Sequence, residues 1–98
     1  MSQTQQRAGE SDGVTNMIEL IADIARALVD LPESVAVESF DEDDSTVIRL
    51  RVAPNDIGKV IGKQGRTARS MRTILSAASM KLKHRFALDI VEEQSQQS

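Results

Sequence analysis

Apolar and polar residues alternate along this chain in more than one rhythm. Between residues 17 and 29 the apolar positions crowd together: Met17, Ile18, Leu20, Ile21, Ile24, Leu28 and Val29, with alanines between. The polar residues Glu19, Asp23, Arg26 and Asp30 recur at spacings of four, three and four, which on a helix is one narrow stripe. Asn16 is placed as an N-cap, and Glu19 at the third helical position completes a capping box. A helix is therefore expected from Asn16 to about Asp30, with Arg26 able to pair with Asp23 and Asp30. Its apolar arc is wider than packing on one sheet requires. Either the helix is deeply packed, or part of its face meets another subunit. Leu31-Pro32 stops it, because proline disfavours helix in the residue before it.

The rhythm then changes to two. Val35 and Val37 alternate with Ala36 and Glu38, which predicts a strand over 34–40. Ile48, Leu50 and Val52 alternate with Arg49 and Arg51, which predicts a second over 46–52. The acidic run Asp41-Glu42-Asp43-Asp44 is read as the turn between them. It is not a calcium loop of the EF-hand kind, which would need glycine in place of Thr46 and glutamate in place of Val52. Pro54-Asn55-Asp56 opens a short helix carrying Ile57, Val60 and Ile61. Helical spacing returns from Arg66 to about Leu82, with Ala68, Met71, Ile74, Leu75 and Ala78 as its buried stripe. Met71 and Met80 read as core filler. A last strand has Phe86, Leu88 and Ile90 facing in and Arg85, Ala87 and Asp89 facing out. Residues 1–14 and 92–98 are too polar to offset the entropy of ordering them, and are expected to be disordered. The chain thus reads as one α+β domain over 15–91. Its order is α-β-β-α-α-β, with a three-stranded sheet packed on one side by three helices.

Between the second and third helices lies Ile57-Gly58-Lys59-Val60-Ile61-Gly62-Lys63-Gln64-Gly65-Arg66. A Gly-x-x-Gly by itself fits a plain helix–helix turn. Here it follows an apolar turn and precedes a helix with arginines at 66, 69 and 72. Glycine has no Cβ, so the backbone can take positive φ and approach a ligand closely. A helix that starts just beyond offers free N–H groups and the positive end of its dipole, which suits phosphate. Lys63 and Arg66 add full charges.

Net charge is −3, yet from Pro54 to Phe86 eight basic residues face Asp56 alone; that segment is +7 and the remainder −10. A local basic field attracts a polyanion whatever the total. Part of the charge, Lys81, Lys83 and Arg85, also opposes the C-terminal dipole of the last helix. There is no cysteine and a single histidine, His84, so no disulfide, thiolate nucleophile or cysteine zinc site can form, and no metal or other cofactor is expected. His84 reads as a surface or strand-edge residue. No apolar run approaches the ~20 residues of a membrane span, and the N-terminus has no charged-then-apolar leader pattern. A cytoplasmic protein is the expectation. The only aromatics are Phe40 and Phe86, both in strand alternation, which disfavours a surface that stacks bases on several exposed rings.

The helix–Gly-x-x-Gly–helix run resembles the KH domain, and two strands before it with one strand after resemble the type II order. A small chain with Ile-Gly-Lys-Val-Ile-Gly-Lys-Gln-Gly-Arg-Thr resembles the bacterial KhpA (YlqC-like) family over roughly Asn16 to Val91. The resemblance implies a cytoplasmic protein that binds single-stranded RNA and acts as an RNA chaperone or post-transcriptional regulator. It also implies a homodimer, or a heterodimer with a KhpB-like KH protein, and a link to cell shape and cell-wall synthesis. The binding residues it implies are Ile57, Gly58, Lys59, Val60, Ile61, Gly62, Lys63, Gln64, Gly65, Arg66 and Arg69. Lys63 and Gln64 would touch phosphate, with Lys59, Arg66 and Arg69 adding charge nearby. Ile57, Val60 and Ile61 would form an apolar wall facing Ile48 or Leu50. The sequence departs from the family pattern at Ala68, where isoleucine is common, so the groove should have a different shape there.

Two other functions fit parts of the same sequence. An interaction module would use the first helix together with Ile57 and Ile61. An enzyme of the P-loop kind is excluded: the glycine spacing is one residue short, and Gln64 replaces the magnesium-binding Ser/Thr.

Overall fold

The computed structural model describes residues 9–92. Helix α1 is Gly9–Leu28, strands β1 and β2 are Ala36–Glu42 and Ser45–Arg51, helix α2 is Ile57–Ile61, helix α3 is Arg66–Leu82 and strand β3 is Arg85–Ile90. Single 3-10 turns, Pro32–Ser34, Pro54–Asp56 and Lys63–Gly65, join them. The element order matches the expected α-β-β-α-α-β.

Helix α1 begins earlier than the capping pattern predicted. Asn16 is exposed and lies inside the helix, not at its start. One feature extends it: Gly13 packs directly on α3, where a Cβ would lie 2.8 Å from Cδ2 of Leu82. Residues 9–14, expected to be disordered, are thus helical; the same expectation for 1–8 and 93–98 falls outside the described residues. Arg26 pairs with Asp23 at 2.8 Å, whereas Asp30 turns to Lys59.

β1 and β2 form an antiparallel hairpin with Glu42 opposite Ser45, so only Asp43 and Asp44 make the turn. Asp43 takes φ 47°, as such two-residue turns require. Asp41 and Glu42, expected in the turn, belong to the strand. Asp41 accepts a 2.8 Å hydrogen bond from the Thr46 hydroxyl, whose oxygen also lies 2.7 Å from Nε2 of His84. The hydroxyl has one proton and gives it to the carboxylate, so His84 is the donor in the second bond. β1 starts later than expected because Pro32–Ser34 coil into a turn closed by Val35 N–H donating to Pro32 C=O at 3.1 Å.

β3 adds to β2 in parallel, giving the order β1-β2-β3. The inner face carries Thr46, Ile48, Leu50 and Leu88, all buried, against Ile21 and Ala25 of α1, Val60 of α2, and Met71 and Leu75 of α3. The three helices therefore cover one face, as predicted. Two expected core residues are outside it. Ile74 is 40% exposed and Met80 is 78% exposed, because the buried stripe of α3 narrows to Ala68, Met71 and Leu75. Phe40 is also exposed, on the outer sheet face, with the Arg49 guanidinium 4.8 Å from its ring centroid.

One buried charge ties the elements together. Asp56 is 1% exposed. Its Oδ2 accepts the backbone N–H groups of Asp30 (3.2 Å) and Leu31 (3.1 Å), and its Oδ1 lies 3.5 Å from Lys59 Nζ. Burial alone would push this carboxyl up; the donations from Leu31 and Asp30, with Lys59, outweigh it and hold the group below the ordinary carboxylate value.

Candidate nucleic-acid interface

The glycine loop has the backbone that its sequence requires. Gly62 stands at φ 82°, ψ 171° and Gly65 at φ 74°, ψ 13°, both disfavoured for residues with a Cβ. Gly62 has no room for one in any case: a Cβ would fall 2.8 Å from the amide nitrogen of Thr67. Between the glycines Gln64 takes a left-handed φ of 57°. Gly62 N–H closes α2 on Gly58 C=O at 2.8 Å, and Gly65 N–H returns to Gly62 C=O at 3.0 Å. The resulting corner presents Lys63 and Gln64 to solvent and leads into the N-terminus of α3.

The arginines behind the loop brace it. Arg66 donates to Gln64 Oε1 at 3.3 Å and Arg69 to the Gln64 carbonyl at 3.4 Å. Both are exposed, so they add positive charge beside the corner while holding Gln64 in its unusual conformation. Lys59 lies elsewhere. Its ammonium sits 3.5 Å from both Asp30 and Asp56, at the end of α1, where those acids largely balance its charge.

A cleft of about 500 Å³ opens beside the loop. One wall is helical: Ile61, Gly65, Ala68, Arg69 and Arg72. The other is the edge strand and its exit: Asp89, Ile90 and Glu92. The apolar wall expected from Ile57, Val60 and Ile61 is reduced to Ile61. Ile57 and Val60 are 6% and 0% exposed because they plug the core beneath α2. The facing strand is also corrected. Ile48 and Leu50 are fully buried on the central strand, and β3 supplies the opposite wall. Ala68 is buried at the cleft floor, so the missing isoleucine leaves the space wider.

Sequence reasoning missed Arg72, Asp89, Ile90 and Glu92. The available signal was topological: a strand joined to β2 through two helices on one face lies parallel to it, and here at the sheet edge. Arg85 N–H donates to Asp44 C=O and Val91 N–H to Leu50 C=O, both at 2.9 Å. Odd-numbered residues of β3 therefore pair with β2, and even-numbered ones turn their backbone groups outward. Phe86 N–H accordingly reaches Ser79 Oγ at 3.2 Å, and Leu88 C=O accepts from Arg72 at 3.1 Å. By the same alternation the backbone groups of Ile90 face the cleft. Among the described residues no group of three or more His, Asp or Glu is placed to hold a metal ion, and no helix is long and apolar enough to cross a membrane.

This geometry can be set against known proteins. The chain is similar in structure to Aquifex aeolicus Era bound to GDP and AlF4−, with a TM-score of 0.51 at 21% identity over 76% of this chain and 29% of that one. A second Era structure, in complex with MgGDPNP and nucleotides 1506–1542 of 16S ribosomal RNA, matches at a TM-score of 0.51 and 20% identity over 80% of this chain and 31% of that one. The chain thus spans under a third of either Era chain, and at this identity the likeness is one of fold. Sequence relatives cover far more. "RNA-binding protein KhpA" of Treponema pallidum is 51% identical over 79 residues, 81% of this chain and 99% of the relative. The proteins of the same name from Caldanaerobacter subterraneus and Halalkalibacterium halodurans are 49% and 50% identical, covering 76% and 78% of this chain and all of each relative. The family model described as "KhpA/KhpB, KH domain" matches residues 18–90. The chain belongs to the KhpA/KhpB KH-domain family.

Proposed function

We propose that this chain binds single-stranded RNA, with the sugar–phosphate backbone on the Gly62–Gly65 corner and the bases in the adjoining cleft. The observation that carries the reading is the open corner itself: positive-φ glycines and exposed Lys63 and Gln64, with Arg66 and Arg69 behind them and a cleft alongside. Lys63 and Gln64 meet phosphate, Arg66 and Arg69 add charge, and Ile61 supplies apolar contact. Gly58 is exposed with open space where a Cβ would stand, and lets the strand pass close to α2. Ile57 and Val60 act from beneath by shaping α2, and Lys59 contributes only long-range charge. Backbone contacts give affinity but little sequence information, and such affinity falls as salt rises. This activity suits a cytoplasmic RNA chaperone or post-transcriptional regulator, whose loss would surface as altered cell shape or wall synthesis.

The test is the double substitution Lys63→Asp with Gln64→Asp. Both sites are exposed, and aspartate tolerates the left-handed conformation at 64. Binding to a pool of single-stranded RNA should vanish while the circular dichroism spectrum and melting temperature hold. Affinity equal to the wild type would refute the assignment.

A specific observation also favours a protein interface. Leu20, Leu28 and Leu31 are 38%, 39% and 45% exposed along α1 and just beyond it. We propose that this face pairs with a second copy or a KhpB-like KH protein. Two linked copies would gain avidity on one RNA. Sedimentation of Leu28→Asp against the wild type reads this directly: a monomeric wild type at high micromolar concentration, without a partner in pull-down, removes the second role.

A further inference from the structure

The sheet has two edges. β3 is one, and it walls the cleft beside the glycine corner. β1 is the other. Glu42 and Ser45 flank a two-residue turn, so they and every second pair behind them, Phe40 with Val47 and Glu38 with Arg49, exchange hydrogen bonds. The backbone N–H and C=O groups of Val37, Ser39 and Asp41 therefore point away from β2, along the free edge. Such edges are commonly blunted by lysine, proline, a bulge or shortness. β1 is seven residues long, pairs with β2 residue for residue, and contains neither lysine nor proline. A groove follows this edge between β1 and α1. It has two hollows, about 220 Å³ beside Ile18, Ala22 and Val37 and about 410 Å³ beside Thr15, Ser39, Asp41 and His84. Arg26, which lines the first, is already paired with Asp23.

The charge along this edge selects the occupant. From Pro32 to Asp44 the chain has six acidic residues, Glu33, Glu38, Asp41, Glu42, Asp43 and Asp44, and no lysine or arginine. That field repels a polynucleotide, and it repels the same edge of a second copy. We propose that β1 accepts an extended basic segment of a partner protein as a fourth strand, by strand addition. Apolar side chains of that segment turn into the groove against Ile18 and Val37. Its lysines or arginines alternate with them on the outer face, beside Glu42 and Glu38, the latter shared with Arg51 at 3.8 Å. The site lies at the opposite sheet edge from the proposed RNA cleft, and Leu20, Leu28 and Leu31 do not line it. The inference therefore stands apart from both readings above.

The probe is a blocked peptide of four Lys-Val repeats, titrated into the full chain. It should bind, and the same peptide with glutamate for lysine should bind at least about tenfold more weakly. On binding, amide exchange followed by NMR should slow at Val37, Ser39 and Asp41, while Glu38 and Phe40, already paired with β2, stay unchanged. Methylating the valine nitrogens in one peptide and the lysine nitrogens in another should abolish binding in only one of the two, because a strand bonds its neighbour through alternate residues. Ser39→Pro removes a donor from the edge without touching the pairing with β2. It should weaken the peptide about tenfold and leave the melting temperature at the wild-type value. No binding of the Lys-Val peptide, equal binding of the glutamate peptide, equal effects of the two methylation patterns, or unchanged exchange at the three edge amides overturns the proposal. A folded Ser39→Pro protein that binds at full strength does the same. The peptide arms use the unaltered chain, so they decide the question even where Ser39→Pro fails to fold.

Discussion

Alanine at Gly62 and alanine at Gly65 are the same chemical change at two ends of one loop, and they should differ sharply. At Gly62 the backbone sits at φ 82°, ψ 171°, a region essentially reserved for glycine that costs about 1–3 kcal/mol for any other residue. The added methyl group would also lie 2.7 Å from the Thr67 Cβ and 2.8 Å from its backbone nitrogen. Rotation of the Thr67 side chain moves neither atom: Cβ and the nitrogen are fixed to the first turn of α3 and can move only if the helix moves. The total loss should be about 3 kcal/mol or more. At Gly65 the conformation is ordinary left-handed helix, φ 74°, ψ 13°, with nothing within 4 Å of the new carbon. The strain there is about 1–2 kcal/mol, partly offset by the lower entropy of the unfolded chain, for a net loss of about 1 kcal/mol. Urea unfolding followed by circular dichroism, with equal m-values required, measures the difference directly. A gap of about 2 kcal/mol corresponds to roughly 8–16 °C in melting temperature for a domain of this size. Two variants within about 0.5 kcal/mol of each other would mean that Thr67 does not confine Gly62, and the packing argument for the loop would fail.

Two further predictions concern the fold. Lys83 ends α3 in the left-handed conformation, φ 54°, ψ 44°, so Lys83→Gly should stabilise the protein by up to about 1 kcal/mol, read as a higher urea midpoint; a lower midpoint would contradict the capping geometry. Asp56, with its carboxyl held below the ordinary value, stabilises the fold above the pKa it has when unfolded, and that contribution is lost as pH falls through the lower, folded value. Acid titration of wild type and Asp56→Asn should therefore show the wild type more stable at neutral pH and the two converging in acid; parallel curves would rule out a special role for this carboxylate.

Much of the fold could be read from spacing, because spacing is what burial selects. Ile48 and Leu50 against Arg49 and Arg51 gave the face of β2, and Phe86, Leu88 and Ile90 that of β3. The errors came where a neighbour overrides local preference. Asn16 has good capping chemistry, but Gly13 lies against Leu82 and carries the helix past it. Ile74 has the right interval for the core, yet the stripe on α3 is too narrow to include it. At the site, the loop glycines were visible because positive φ leaves a mark in the sequence. The strand wall was not, because which strand lies beside α3 depends on how the chain crosses over the sheet. Ile57 and Val60 were misplaced for a related reason: in a helix as short as α2, apolar residues read alike whether they face the core or the cleft.

The carboxylate of Asp56 holds the last residues after α1 and stands immediately before α2. The glycine corner is thus tied to the end of the first helix as well as to the sheet. If the exposed leucines there seat a partner as proposed, that partner leans on a strut whose far end is the proposed polynucleotide site.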